Sequence, residues 1–531
     1  MTIVAGVDFG TASVRVSLVD DARGRIGSGE ADYPVLRDVR DPDLAAQRHD
    51  AHLAALERAF AAALTRSGKD GSEVAALAVA TTGSTVVPLD EDLRPIDDYY
   101  LWCDHRAWRE AAEITAAGDD LPALAFCGGT YSAEWGFAKL LHWLRHNPQR
   151  RAGMATAAEH CDVIVATLTG VTDPARMRRS ICAMGHKWLW NADLGGLPSE
   201  RILAGVDPLL AGVRERLDGI YRTSDHVAGG LSGEWAARLK LRPGIPVPVA
   251  ALDAHWDAIG VGCRRGDVVN VIGTSSCIMA LSERLAPMPG IPGVVPGSIH
   301  PGYIGIEAGL AAAGAAFDAI ASRAHLPVER LAAQIAGHRA GQTGLTRLVW
   351  DNGDRSVLAD QRLAGMTLGW RLAHSAADEL FAAIEGTAFQ TRIVLDLLRE
   401  HGVPIERVIN AGGIPPRNPT LNRVYANVLG KPVLVPRDDT TSLGSAIFAF
   451  LAAGTFTTVE DAQAALCPEY DVIAPDPGEQ ATYEREYGRF RDLYFTLSRI
   501  PAAHEPAPQS NAAHRPDRQA ATTDTLEQET I

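Results

Sequence analysis

The feature that most constrains this chain is a device it uses twice: a short apolar strand stops at a Gly-Thr turn and resumes as a second strand. The first copy is Val4-Ala5-Gly6-Val7-Asp8-Phe9 running into Gly10-Thr11-Ala12-Ser13, with Val14, Val16 and Leu18 alternating onward. The second is the apolar run Val268–Ile272, which ends in Gly273-Thr274-Ser275. Ahead of that second turn, the run from Val247 ends in a lone carboxylate, Asp253, followed by a helix-like segment and a charged break at Arg264-Arg265-Gly266-Asp267. Glycine lets a backbone approach a phosphate closely, and the hydroxyl and exposed N–H groups that follow can donate to its oxygens. One such turn is compatible with an ordinary hairpin. Two copies, one of them with a carboxylate twenty residues ahead, point to a duplicated α/β domain that handles phosphate.

A chain of 531 residues exceeds one hydrophobic core, so two domains are expected. The net charge of −15 and the lack of any Lys/Arg block exclude a nucleic-acid partner. The seven cysteines are scattered, with no Cys-x-x-Cys pair, which indicates neither zinc nor a disulfide framework but free thiols in a reducing cytoplasm. No stretch approaches eighteen apolar residues and no basic leader opens the chain, so a cytoplasmic protein without membrane contact is expected.

In chain order, Pro42–Ser67 carries Leu44, Leu53, Leu56, Phe60 and Leu64 at helical spacing and stops at Gly68. Val74–Ala80 reads as a buried strand delivering Thr81-Thr82-Gly83-Ser84-Thr85, a plain loop or a ligand turn at a strand's carboxyl end. In Leu101-Trp102-Cys103-Asp104-His105-Arg106, Asp104 suits the N-cap of the next helix, and the aromatic with its acid and base equally suits a sugar. Ser132 is placed as the cap of a helix bearing Trp135, Leu140, Leu141 and Leu144. Lys187, beside Trp188 and Trp190, reads as a snorkelling surface lysine or as a donor to a substrate oxygen; His186 reads as a packed core histidine. Gly229–Pro248 reads as a connector and Pro287–Pro301 as a loop. Glu307, alone on an apolar strand, requires a partner if buried. Asp378–His401 is the clearest helix; Val408–Ala411 is a strand ending in Gly412-Gly413; Pro501–Ile531 has the composition of a disordered tail.

Taken together, Asp8-Phe9-Gly10-Thr11, Thr82-Gly83-Ser84-Thr85, Trp102-x-Asp104-x-Arg106, Asp253, Gly273-Thr274-Ser275, Gly412-Gly413 and Thr440-Thr441-Ser442-Leu443-Gly444 resemble the FGGY carbohydrate kinases. Segments such as Tyr131–Trp135, Cys182–Trp190, Leu252–His255 and Pro301–Gly309 are similar to the ribulokinase branch of that family, in the same order. The resemblance spans about residues 3–455. It implies two actin-like, ribonuclease-H-like domains around a cleft: residues 1–262 binding sugar, 263–498 binding ATP, and 499–531 forming the tail. By motif, Asp253 would be the general base. Asp8, Gly10, Thr11, Gly273, Thr274 and Ser275 would surround the phosphates and Mg²⁺, with Asp8 the metal ligand. Gly412, Gly413 and Asn418 would sit by the adenosine, and Thr82, Ser84, Trp102, Asp104, Lys187, Asp253 and Glu307 would hold the sugar.

The implied activity is transfer from ATP to L-ribulose, giving the 5-phosphate, as in L-arabinose catabolism. Alternatives are an FGGY kinase for D-ribulose, xylulose, erythrulose or ribitol, and a non-catalytic sugar-binding regulator. A homodimer stays open. Two residues depart from the ribulokinase pattern: Ala80, where an acid is expected ahead of the Thr82-Gly83 turn, and Ile278, where a polar residue would be unsurprising.

Overall fold

The computed structural model describes residues 1–438 and 440–500; the expected tail, Pro501–Ile531, lies outside the described residues. The opening hairpin forms as expected. Strand β1 (Ile3–Phe9) pairs antiparallel with β2 (Ser13–Asp20), which pairs antiparallel with β3 (Gly24–Asp32). Helix α1 (His49–Ser67) covers this meander and ends at Gly68, whose left-handed backbone (φ 64°) suits glycine. Strand β4 (Val74–Thr81) then lies parallel to β1. Helices α2 (Trp108–Ala116), α3 (Gly136–His146) and α4 (Ile181–Lys187) follow. The two-residue strand β5 (Ala251–Leu252) completes the sheet beside β4, in the order β5-β4-β1-β2-β3.

Helix α5 (Asp253–Gly260) leads into a second sheet made of β6 (Asp267–Ile272), β7 (Ser276–Ser282), β8 (Gly293–Pro296), β9 (Ile304–Leu310), β10 (Arg407–Ala411), β11 (Val433–Pro436) and β12 (Tyr470–Ile473). Its order is β8-β9-β7-β6-β10-β11-β12. Without the edge strands β8 and β12, the remaining order β9-β7-β6-β10-β11 repeats that of the first sheet: an antiparallel meander continued by two parallel strands. The duplication is therefore topological, and both Gly-Thr turns join the first two strands of their meanders. Helix α6 (Gly314–Arg323) and the long α7 (Ala376–Glu400) cover the second sheet, α7 starting from a Ser375 capping box. Helix α8 (Pro419–Leu429) follows the Gly412-Gly413 turn.

The two halves are joined by helix α9 (Leu443–Ala452), which comes from the second half but packs on the first sheet. Ser445 Oγ donates to the Val7 carbonyl at 2.9 Å, and the Trp256 ring stacks on Phe448 with centroids 4.7 Å apart. The approach needs absent side chains: a Cβ on Gly6 would stand 2.3 Å from the Ser442 carbonyl oxygen, and one on Gly444 only 1.8 Å from that of Trp256.

Several local expectations are corrected. Asp41–Gln47, including Leu44, is a strand rather than the start of α1, because it pairs with Tyr99–Tyr100, a partner that lies far away in sequence and overrides local periodicity. Asp104 caps no helix, since Ala107 stands at the N-cap of α2. Ser132 likewise shapes a turn, accepting from the Glu134 N–H at 3.1 Å, and Trp135 occupies the N-cap position of α3. The presumed connector Gly229–Pro248 contains a helix, Gly233–Leu239, capped by Ser232. The expected loop Pro287–Pro301 supplies edge strand β8. Among the described residues no helix is long and apolar enough to cross a membrane, and all seven cysteines are free thiols.

The α9 contact predicts that Gly444→Ala, forced against backbone, lowers unfolding stability by about 3 kcal/mol, read from the urea midpoint. An unchanged midpoint would contradict the close packing of the two halves.

Candidate active site

Both turns are held from behind and open in front. In the first, the Gly10 N–H donates to the Ser13 carbonyl at 2.9 Å, and Tyr33 Oη donates to the carbonyls of Gly10 (2.5 Å) and Ser13 (2.9 Å). Gln47 Nε2 donates to the Thr11 carbonyl at 2.7 Å. In the second, the Gly273 N–H donates to Ser275 at 2.9 Å, and the first turn of α6 clamps the loop through N–H bonds of 3.0 Å from Ala313 and Ala315 to the Thr274 carbonyl. A Cβ on Gly273 would meet nothing closer than 4.0 Å, so the space above the turn is free. Gly412 has φ 87° and lies where a Cβ would stand 2.6 Å from the Ile272 carbonyl, which fixes the adjoining turn next to β6; Gly412 and Gly413 are exposed. Asn418 Oδ1 caps α8, accepting from the Leu421 N–H at 3.0 Å.

The other group of residues converges on a buried ion pair. Lys187, at the end of α4 in the first half, sets its Nζ 2.8 and 2.9 Å from the two oxygens of Glu307, on β9 of the second half. The lysine is thus buried, not snorkelling, and Glu307 has the partner its burial demands. His186 Nδ1 and His255 Nε2 stand 3.3 and 3.4 Å from Glu307 Oε2. Burial pushes both imidazoles down, His255 to about 4, so they are neutral at pH 7 and each carries one N–H. Burial alone would raise Glu307; the Lys187 ammonium outweighs it and holds the carboxyl well below the usual range. A second, partly buried cross-link joins the halves: Arg355 from the second half sits 3.5 Å from Glu134 of the first and 3.9 Å from Cys277 Sγ.

Asp253 opens α5 at the end of β5, its Oδ1 accepting from the Ala254 N–H at 2.7 Å. The residue is half-buried. Burial first and the neighbouring Asp8 charge second push it up to about 7. Asp8 itself is the penultimate residue of β1 and is buried, with Arg15 Nη1 at 3.8 Å. Trp102 Nε1 donates to Thr11 Oγ1 at 3.1 Å and so ties the 102–106 segment to the first turn.

The remaining sugar candidates are spread out. Thr82 is buried, its N–H bonded to the Phe9 carbonyl at 2.8 Å. Ser84 has φ 59°, and its carbonyl accepts from the buried Lys139 ammonium at 2.6 Å. Asp104 is fully buried and both its oxygens are engaged, by Arg106 (2.7 Å at the closest) and the Ala45 N–H (3.0 Å). It therefore braces the segment that carries Trp102 instead of presenting a free carboxylate. A cleft of about 2730 Å³ reaches Lys187 and Glu307, with Tyr131, Glu134, Trp135 and Arg355 around them; Asp8, Asp253 and the Gly273 turn do not line it. Ile278 packs wholly inside the second apolar core, and the partly exposed neighbour is Cys277. Ala80 sits on β4 in register with Asp8. Nothing in the sequence marks Arg355, whose loop has no periodicity, and Glu134, within Tyr131–Trp135, has no partner nearby in sequence.

Residues 3–185 match the N-terminal domain of the FGGY family of carbohydrate kinases, and residues 268–453 match its C-terminal domain. The chain belongs to this family. As an FGGY carbohydrate kinase it is 32% identical over 555 residues to a ribulokinase of Vibrio parahaemolyticus, covering 94% of this chain and 97% of that relative. It is 33% identical over 532 residues to one of Mycolicibacterium smegmatis, covering 92% and 93%. Its fold matches a xylulose kinase structure from Rhodospirillum rubrum with a TM-score of 0.79 at 24% identity, covering 93% of this chain and 99% of that one. A Plasmodium falciparum glycerol kinase gives 0.77 at 14% identity, covering 93% and 98%. The two halves of this FGGY kinase are accordingly actin-like, ribonuclease-H-like domains, and the ion pair Lys187–Glu307 links them.

That pair gives a test. Lys187→Met strands a buried carboxylate and costs about 3–5 kcal/mol of stability. Lys187→Met with Glu307→Leu costs less than the sum of the single changes, read by urea denaturation in a double-mutant cycle. Because the folded state holds Glu307 below its unfolded value, the contribution is complete above the ordinary carboxylate range and lost as pH falls through the folded value. Additive single effects would remove the pair from this role.

Proposed function

We propose that this FGGY kinase transfers the γ-phosphoryl group of ATP to the 5-hydroxyl of L-ribulose, with Asp253 as general base, a step that serves L-arabinose catabolism. The observation that carries the reading is the placement of Asp253. Asp253 opens α5 at the end of β5, and burial first, then the charge of Asp8 on β1, push its carboxyl up to about 7, with Glu307 and Lys187 acting on it as well. Its relatives in Vibrio parahaemolyticus and Mycolicibacterium smegmatis, named ribulokinases, favour the ketopentose.

In this reading residues 1–262 hold the sugar and 263–498 the nucleotide. Lys187 donates to a sugar oxygen while Glu307 and Asp253 accept from its hydroxyls; Trp102, with Thr82 and Ser84, shapes the wall. The N–H groups and hydroxyls of Gly10, Thr11, Gly273, Thr274 and Ser275 orient the phosphates, and Gly412, Gly413 and Asn418 flank the adenosine. The negative charge of Asp8, which raises Asp253, makes an oxygen-bearing, electronegative spot that fits Mg²⁺, and Asp8 would be its ligand. Mg²⁺ bound with ATP supplies neutralisation of phosphate charge. Phosphoryl transfer has a loose transition state, so the chain's task is to align the 5-hydroxyl and to take its proton on Asp253 as the O–P bond forms. Closure of the halves around α9 excludes water from the transfer.

A second reading, a kinase for another ketose or for a pentitol, is favoured by Ala80: beside Asp8 in register, it leaves out an acid that would contact the sugar wall. ADP release with Mg·ATP across L-ribulose, D-ribulose, both xyluloses, erythrulose, ribitol and the arabitols separates the two. L-Ribulose is expected to give the highest kcat/KM; a tenfold advantage for another sugar establishes the second reading. A raised acid is protonated below its pKa and ionised above it, so kcat/KM is expected to fall as pH drops below about 7, with a bound cation at Asp8 moving the midpoint downward. A profile with no fall on its acidic side, down to the pH at which the protein unfolds, would exclude a titrating base.

A further inference from the structure

Away from the reacting groups, α2 and α3 carry three side chains that the proposed activity does not use: Glu110 on α2, and His142 and His146 on α3. The two histidines are four residues apart, so they stack on one face of α3, with ring centroids 4.1 Å apart. This is the spacing at which two helical imidazoles share a divalent cation. Glu110 faces them from the neighbouring helix. One donor atom from each of the three residues lies within 4.8 Å of the others, a gap that small side-chain rotations close around a single ion.

Two observations point to a ligand here. Glu110 Oε2 and His142 Nδ1 are buried and face each other at 3.5 Å without a well-formed hydrogen bond. His146 Nδ1 lies 2.8 Å from the His142 carbonyl. An N–H donated there fixes the tautomer that leaves Nε2 with its lone pair, the orientation metal-binding histidines adopt. The surroundings are also electronegative. Arg145 is shared by Glu110 Oε1 (3.1 Å), Glu113 (2.6 Å) and Asp207 (2.6 Å), so three carboxylates stand against one guanidinium while Glu110 Oε2 faces the His142 ring; the charge of Arg106 also reaches His146. Among the described residues the other such cluster, His186–His255–Glu307, is already filled by the Lys187 ammonium.

We propose that Glu110, His142 and His146 form a zinc-class divalent metal site, with water in the fourth position, that staples α2 to α3 on the wall of the cleft. The staple bears on the sugar side. Helix α2 follows the Trp102–Arg106 segment, and α3 carries Lys139, whose ammonium donates to the carbonyls of Ser84 and Leu101.

The test measures Zn²⁺ binding to the full chain, by equilibrium dialysis with metal analysis and by the Tm in added Zn²⁺. His146→Ala is the variant of choice, because His146 is the exposed ligand and its loss leaves the helix packing alone. Wild type is expected to hold one more zinc than His146→Ala, or to bind it at least tenfold more tightly, and to gain several degrees in Tm that the variant does not. With Mg·ATP and no added zinc, ADP release by the zinc-free variant is expected to match that of zinc-free wild type. His142→Gln supplies the same comparison from the other imidazole. Equal zinc affinity and stoichiometry in wild type and both variants, or no micromolar binding by wild type, overturns the site.

Discussion

The Lys187–Glu307 pair is the interaction on which the rest of the site depends. A carboxylate on an apolar strand and an ammonium at the end of a helix are each costly to bury alone, and each comes from a different half of the chain. Their contact fixes how β9 of the second half stands against α4 of the first. Two neutral histidines close the remaining sides of Glu307, so its charge has few orientations open to it. Asp253, two residues from His255, inherits its position from that arrangement. The pair stores electrostatic order before any substrate arrives, the condition under which fixed charges act most strongly on a reaction.

Around it the fold repeats itself. Two meanders, each continued by parallel strands, place their Gly-Thr turns at equivalent corners, and α9 brings the halves together through contacts that need glycine at positions 6, 260 and 444. The contact is also apolar, since Ala446, Ile447, Phe448, Ala449 and Phe450 of α9 are buried in the core of the first half. The ionic contacts Lys187–Glu307 and Arg355–Glu134 lie elsewhere along the same division, so the joint combines close backbone packing with charge-paired side chains.

Much of this was legible in the sequence. The duplicated strand-turn device, the strand leading to Asp253, the need of Glu307 for a partner and the long helix ending before Gly402 all follow from patterns that span a few residues. What was not legible depended on partners distant in sequence. Leu44 fits a helical stripe until Tyr99–Tyr100 pairs with its neighbours, and Lys187 reads as a surface lysine until Glu307, 120 residues away, is brought beside it. Asp104 and Ser132 have the residue types of helix caps, but Arg106 and the Glu134 N–H claim them first. Arg355 sits in a loop with no period at all, and only the fold shows that it faces Glu134.

The central claim, that Asp253 takes the proton of the hydroxyl being phosphorylated, is tested most directly by measuring turnover and sugar affinity of Asp253→Asn side by side. The account predicts a loss of turnover of about 10²-fold or more, with sugar affinity kept within a few-fold of wild type, as expected for removal of a general base. Near-normal turnover would contradict the claim, and so would a loss confined to sugar binding.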